Sequence, residues 1–369
     1  MKTTAVLAFA ALAASAVHAI EIPAEHHQRF LREQASIADE LAQWKDSVAG
    51  QVAKKNGFYK ESSSGQSIQI ESVSVDADHL KRFFLTKLSI AEVAKANPEA
   101  TFSVNTPFTL MTDAEFAAHV KRSSGKVDGR DAPTTANATL AVEAISAEHA
   151  ARNLATSLDW TTSGCVAGVK DQGDCGSCWA FSSIGALESA NCIKSGALQL
   201  FSDQQATSCD PTSDGCDGGW PLWSLQYLKR FGGVCTAASY PYNSGTTGVT
   251  GTCSTSGCTK TALTISSITT VASTESALVT AITKQPVAVA VAAGNTAWKQ
   301  YTSGVVSSCS TSALDHAVLA VGYDATSFKL KNQWGTSWGA NGFINLKRTG
   351  TGSAACSIIN THNVYPNLA

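Results

Sequence analysis

The eleven cysteines constrain this chain more than any other feature. None precedes Cys165, and all lie between Cys165 and Cys356. The first 164 residues therefore share no disulfide framework with the rest, and the two parts must fold by different strategies. The odd count leaves at least one thiol outside intramolecular pairing. Disulfides persist in oxidising compartments, and the N-terminus offers a route to one. Residues 1–19 read MKTTAVLAFAALAASAVHA: one Lys, an apolar run from Ala5 to about Ala14, then small residues ending Val17-His18-Ala19. That is the layout of a cleaved secretory signal. The run falls short of the ~20 apolar residues that a bilayer span requires. The mature product is expected to act in solution without a membrane, either secreted or in a lysosomal or vacuolar lumen.

Charge follows the same division. Residues 20–154 hold 18 acidic and 15 basic side chains, whereas residues 155–369 hold 11 of each. The formal net charge of −2 provides no basic field for nucleic acid. In the front unit, Phe30, Leu31, Ile37, Leu41, Trp44 and Val48 recur with helical period, which predicts one helix over 27–55. Leu80, Phe84, Leu88 and Val93 predict another over 79–96, limited by Pro98. Residues 122–154 are polar and small, as expected of an exposed connector open to proteolysis, and they include the glycosylation sequon Asn137-Ala138-Thr139. In the back unit, residues 178–195 read as a helix stopped by Gly196, with shorter helices over 202–209 and 220–231. The pattern then alternates, and the segments beginning at Pro286, His316, Ser327 and Gly342 read as strands. A helical half followed by a strand-rich half predicts an α+β unit of two subdomains with a cleft between them.

Elimination narrows the chemistry. The back unit has two histidines, His316 and His362, too few for a His-rich metal site. Cys175-Gly-Ser-Cys178 has the spacing of a zinc-binding pair, but no second such pair follows. No glycine-rich nucleotide motif stands in strand–helix context, so neither metal nor cofactor is expected. The sharp candidate is Gln172-Gly-Asp-Cys175-Gly-Ser-Cys178-Trp179. A Cys in the first turn of a helix faces unpaired N–H groups and the positive end of the helix dipole, and both favour thiolate over thiol. A thiolate is the nucleophile required at an acyl carbon. The alternative makes Cys178 one more disulfide half.

Cys-Gly-Ser-Cys-Trp over 175–179 resembles the active-site signature of the papain family of cysteine peptidases, in which a His and an Asn follow ~130–150 residues downstream. His316 lies 138 residues after Cys178, in Leu-Asp-His-Ala-Val, and Asn332 lies 16 further on, in Lys-Asn-Gln-Trp-Gly-Thr-Ser-Trp-Gly. Gly215-Cys216-Asp-Gly218-Gly219 and Tyr240-Pro-Tyr242 resemble further family segments, so the likeness runs from about Leu158 to Pro366. The resemblance implies a papain-like catalytic domain over 155–369, with a helical lobe and an antiparallel β-barrel-like lobe. It implies a cysteine endopeptidase that works through a thioester acyl-enzyme. Cys178 would be the nucleophile and His316 the base and acid. Asn332 would orient the imidazole under the shield of Trp334, and Gln172 would donate to the oxyanion. Peptide would bond near Gly218 and Gly219. The main pocket would be built from Trp220, Pro221, Ala290, Leu314 and Thr361, beside Asp315, and would take Leu, Val or Phe rather than Arg. Trp179 and Trp338 are assigned to packing.

The same resemblance pairs Cys175 with Cys216, Cys309 with Cys356, and Cys209 with Cys253, with Cys258 a rival for the last. Cys165, Cys192, Cys235 and the remaining member of that pair stay open among three connectivities. The front segment resembles, more weakly, the family's inhibitory propeptide over 20–121, with the activating cut in 122–154. Asp78, Arg82, Val93 and Asn97 fit its long-helix motif, with Thr86 and Ser89 as departures. Asn105, Phe108, Thr112, Glu115 and Phe116 echo the next motif, but Leu110 stands where an Asp is expected. Gln333, where the family usually has Ser, and Asp174, a charge beside the cleft, are departures in the catalytic unit. The expected partners are protein and peptide substrates and the chain's own propeptide, and the enzyme is expected to be a monomer. Other readings are an exopeptidase on this fold, a silent binding protein, which would lose Cys178 or His316, and a structural disulfide-rich protein.

Overall fold

Amphipathic helices build the front unit. In the computed structural model, residues 20–60, 67–70, 73–122 and 156–369 are described. The signal segment, Asn137 and the connector from 123 to 154 lie outside them. Helix α1 (Ala24–Asp46) buries Phe30, Ile37, Leu41 and Trp44. It ends at Ser47, whose extended backbone starts α2 (Val48–Lys55). The Ser47 hydroxyl donates to Trp44 O and accepts from Gly50 N, so one side chain terminates one helix and caps the next. The single helix expected over 27–55 is thus two. Val48, past the break, is 72% exposed and Leu31 50%, so neither belongs to the buried face. After the antiparallel hairpin β1 (Ser67–Ile70) and β2 (Val73–Asp76), α3 (Ala77–Ala96) packs on α1 and buries Leu80, Phe83 and Phe84. Short strand β3 (Ala100–Phe102) and helix α4 (Asp113–Lys121) follow. Leu110 is buried in the α1/α3 core, where an apolar side chain satisfies the site and an Asp would not.

The back unit begins with β4 (Leu158–Asp159) and then α5 (Cys178–Ser195), which is buried along most of its length and ends at Gly196 in the left-handed region (φ 80°). Helices α6 (Asp203–Cys209) and α7 (Pro221–Phe231), the pair β5 (Val234–Cys235) and β6 (Lys260–Thr261), and the turn α8 (Ser244–Thr247) complete the helical lobe. Its core holds Trp179, Ile184, Leu187, Phe201, Leu225 and Leu228. The strand-rich lobe contains β7 (Ile265–Thr270), α9 (Glu275–Lys284), β8 (Val287–Val291), α10 (Thr296–Lys299), β9 (Tyr301–Val306), β10 (His316–Tyr323), β11 (Ser327–Lys331), β12 (Phe343–Lys347) and β13 (Val364–Leu368). The sheet order is β3-β9-β12-β11-β10-β8-β13-β7, with β4 beside β10. Every residue of β8 and β10 is buried. Strands covered on both faces read as continuous apolar runs.

Two features depart from an antiparallel barrel. Strands β9 and β12 run parallel, and the sheet is an open path rather than a closed ring. Its outer edge at β9 is occupied by β3 of the front unit, antiparallel, with Thr101 opposite Ser303; at the far end β7 packs against α7. The front unit also sends Phe102, Phe108, Phe116 and Val120 into the core of the strand-rich lobe. Polar anchors add direction. Asn97 Oδ1 accepts from Ser307 N at 2.9 Å and Ser308 N at 2.8 Å, and Thr106 Oγ1 donates to Lys299 O at 2.9 Å.

Five disulfides form: Cys165–Cys192, Cys175–Cys216, Cys209–Cys253, Cys235–Cys258 and Cys309–Cys356. The four cysteines left open by the sequence therefore resolve as 165 with 192 and 235 with 258. Cys178 is in none of them. Asn97→Ala should remove the acceptor of two backbone amides at a cost of about 1–2 kcal/mol. Hydrogen exchange is expected to accelerate at the Ser307 and Ser308 amides while the amides of β10 keep their protection.

Candidate active site

Cys178 opens α5 behind the N-cap Ser177, so its amide is among the first-turn N–H groups with no acceptor within the helix. The loop before it is held from two sides. The Cys175–Cys216 disulfide ties it to the glycine segment, and the Tyr242 hydroxyl donates to Gln172 O at 2.9 Å and lies 2.7 Å from Ser177 Oγ. Its start crosses to the other lobe. Gln172 N donates to Gln333 O at 2.9 Å, Asp171 bridges Trp334, and Gly335 N donates to Lys170 O.

His316 is the first residue of β10, and Asn332 follows the last residue of β11. Antiparallel pairing of these strands brings the two side chains together, and His316 Nε2 lies 2.9 Å from Asn332 Oδ1. Trp334 stacks on the imidazole (centroids 4.7 Å apart, planes at 26°), with Trp298 at its edge. His316 Nδ1 is buried without a hydrogen bond. Burial pushes the His316 pKa down to about 4; the Asn332 hydrogen bond opposes this, and His119 of the front unit adds to it. Ala317, next in β10, donates its N–H to Cys178 Sγ at 3.3 Å. Cys178 and His316 line one small cavity with Gly219, Trp220, Pro221, Leu314 and Ala317. A nucleophile on one lobe and an imidazole fixed by an amide on the other can together transfer a proton and attack an acyl carbon.

The remaining expected site residues divide. Gln172 Nε2 donates to Cys175 O at 2.8 Å. A Cβ on Gly219 would lie 2.5 Å from Ser213 Oγ and 2.8 Å from the Trp179 ring, so this approach admits glycine alone. Gly218 stands beside it at φ 118°. Ala290 is enclosed in β8, its carbonyl accepting from Asn360, and Thr361 is exposed; neither lines the cavity. His362 instead lies against Trp220, with centroids 4.5 Å apart. The Asp315 carboxylate accepts from Ala293 N and Gly294 N, and burial raises its pKa to about 6. Sequence reasoning missed Ala317, His362 and the contacts of Gln333. Only the last carried a signal, as a departure from the resembling pattern.

The front unit covers this site. Phe108 and Phe116 set their rings edge-on to Trp334, at 5.0 and 5.7 Å. A Cβ on Gly176 would come within 3.0 Å of the Arg122 carbonyl group, so the chain after α4 passes directly over the loop before Cys178. Arg122 is paired with Asp174, and His119 Nδ1 lies 3.6 Å from the same carboxylate. Asp113 accepts from Lys299 Nζ at 3.0 Å and Thr296 Oγ1 at 2.9 Å. Among the described residues there is no cluster of three or more His, Cys, Asp or Glu that could hold a metal ion, and no helix is long and apolar enough to cross a membrane.

The chain belongs to the papain family of cysteine proteases, whose model matches residues 154–367. Cysteine endopeptidase RepA of Oryza sativa subsp. japonica is 42% identical over 203 residues, which is 53% of each chain. Digestive cysteine proteinase 1 of Homarus americanus is 40% identical over 58% of this chain and 67% of its own. The chain spans about half the length of the first curated relatives it matches. Among solved structures, the proform of the Amb a 11 cysteine protease, a major ragweed pollen allergen, superposes with a TM-score of 0.73 at 27% identity, over 93% of this chain and 88% of that one. The recombinant stem bromelain precursor gives 0.65 at 31% identity, over 80% and 94%.

The buried imidazole has a consequence for pH. In the covered form His316 protonates only near pH 4, whereas an exposed imidazole does so near 6.5. Between those values a form with the ring exposed binds a proton that the covered form does not, so the covered form loses stability as pH falls through this window. NMR titration of the intact chain should find the His316 ring neutral down to about pH 4. Phe108→Ala, which uncovers Trp334, should raise that midpoint.

Proposed function

We propose that this chain is the secreted or vacuolar zymogen of a cysteine endopeptidase, with residues 20–121 as its inhibitory propeptide. The carrying observation is the shared cavity of Cys178 and His316. The Cys178 thiol is held out of five disulfides at a helix N-terminus, and the imidazole is fixed by Asn332 and Trp334. In the reaction, the thiol proton passes to His316 and Sγ bonds to the scissile carbonyl carbon. The resulting oxyanion is met by the Cys178 N–H and by Gln172 Nε2. His316 then gives its proton to the leaving amine as the C–N bond breaks, leaving a thioester. It next takes a proton from water, whose oxygen attacks the thioester and releases the acid and the thiol.

Peptide lies extended along Gly218 and Gly219. The main pocket is formed by Trp220, Pro221, Leu314 and Ala317, all uncharged, and takes the apolar residue preceding the attacked one. Family resemblance adds Ala290 and Thr361 to it, and His362 packs against the Trp220 ring that lines it. The front unit blocks the cleft from within the same chain, where high effective concentration makes a moderate fit sufficient. Acid releases it, and cutting within 122–154 yields a monomeric enzyme beginning near Asn153–Ser157.

Full-length protein incubated in acid and then treated with a thiol-directed epoxide should carry the label at Cys178 on peptide mapping. Label at any other residue would sink the assignment. His316→Ala is expected to abolish labelling, and Asn332→Ala to lower kcat by about 10- to 100-fold. Internally quenched peptides with Leu, Val or Phe at the pocket position should be cut faster than the Arg counterpart. Equal rates would remove the apolar-pocket reading without touching the nucleophile.

A further inference from the structure

We infer that Gln333 is a positioning residue that fixes which end of the Gln172 amide faces the reacting carbonyl. The inference rests on the peptidase reading above. A glutamine amide has a donor end and an acceptor end of nearly equal shape, so a glutamine that serves an oxyanion must be prevented from turning its oxygen inward. Gln333 is buried at 4% exposure. Its Nε2 donates to Ala317 O at 2.9 Å and to Gln172 Oε1 at 3.0 Å. The first acceptor decides the second. Ala317 O is a backbone carbonyl inside β10, so only the NH2 end of Gln333 can face it. The second hydrogen of that NH2 group then requires an acceptor, which fixes Gln172 with Oε1 toward Gln333. Gln172 Nε2 is left on the opposite side, where it donates to Cys175 O at 2.8 Å. That second acceptor favours the same orientation, so Gln333 and Cys175 hold the amide from its two ends.

Both hydrogens of Gln333 Nε2 are accounted for by these acceptors. Its approach to His316 Nε2, at 3.4 Å, is therefore packing rather than a further hydrogen bond. The backbone of the same residue completes the lock. Gln333 O accepts from Gln172 N at 2.9 Å, and Gln333 N donates to Asn332 Oδ1 at 2.9 Å, the oxygen that also holds His316. A serine here, the residue expected from the family resemblance, has too short a side chain to reach both acceptors. Gln333 thus transmits the polarity of one β10 carbonyl to the proposed oxyanion donor.

The test separates two reactions of the same thiolate. Epoxide alkylation opens a three-membered ring by displacement and forms no tetrahedral oxyanion. Peptide hydrolysis requires one. Gln333→Met and Gln333→Leu, of similar volume but with no amide, are compared with wild type in the full chain after acid incubation, active sites being counted by epoxide titration. Both variants should lower kcat for peptide hydrolysis by about 10- to 100-fold, with KM changed less than ~3-fold. Cys178 alkylation should stay within ~2-fold of wild type. Unchanged kcat in both variants would overturn the inference, as would hydrolysis and alkylation falling together, because that pattern belongs to a disturbed thiolate–imidazole pair. A wild-type chain that is neither alkylated nor active would instead overturn the peptidase reading itself.

Discussion

The site is organised around one imidazole that is deprived of water on every side. His316 has Asn332 at one nitrogen and three tryptophans, Trp298, Trp334 and Trp338, packed in a continuous wall at its edge and face. Its other nitrogen is buried without a partner. An ionised group in such surroundings is costly, which is why the ring is held neutral here. A thiolate–imidazolium pair needs the opposite. The cover therefore acts on the chemistry as well as on access, because it removes the dielectric that a charged pair requires. Phe108 and Phe116 close over Trp334, the ring stacked on that imidazole, and His119 adds its own charge to the effect.

The forces that attach the cover differ in how they respond to acid. Strand pairing of β3 with β9, the Asn97 and Thr106 anchors, and the shared aromatic core do not titrate. Two contacts do. Asp113 has its pKa lowered because Lys299 and Thr296 outweigh its partial burial. Lys299 is 1% exposed, and its burial depresses it even beside that carboxylate. Asp174, held low by His119 and Arg122 against its own burial, is the other. Both carboxylates favour the covered form above the ordinary carboxylate range and lose that contribution as pH falls through their lowered values. His316 responds earlier, between 6.5 and about 4. Leu110, in place of an acidic residue, thus removes one trigger from a system that has others.

How much of this was legible depends on whether each signal is local. The Cys178 helix, the β10 and β11 runs and the ordered Cys, His and Asn could be read because motif and period are written in neighbouring residues. The partners of Cys165 and Cys235 could not, since several thiols are equivalent until the chain is folded. Nor could the break at Ser47, where an amphipathic pattern continues across a serine whose cap decides the geometry. The pairing of β3 with β9 joins segments about 200 residues apart and leaves only three residues as its trace. The partner of Trp220 shows the same limit. Thr361 and His362 are adjacent in sequence, and only the turn after Cys356 determines which of them reaches Trp220.

The nucleophile and the imidazole stand on different lobes, yet no disulfide joins those lobes. Four disulfides lie between residues 165 and 258, and the fifth joins 309 to 356. Their relative placement is therefore set by packing and buried charge. Helix α5 lies along β10, where a Cβ on Gly185 would meet the Leu319 side chain at 3.2 Å. Behind the site, Lys170 is clasped by Glu188 of α5 at 2.9 Å and Asp203 of α6 at 2.8 Å. Lys331, at the end of β11, donates to Ala167 O from the strand-rich lobe. Removing one member of such a network leaves a buried charge uncompensated, which costs more than the pair contributes. Lys170 precedes Gln172 by two residues, and Lys331 precedes Asn332 by one. The ionic clasp inside the helical lobe and the Lys331–Ala167 hydrogen bond between the lobes thus end within two residues of the two amides that flank the thiol and the imidazole.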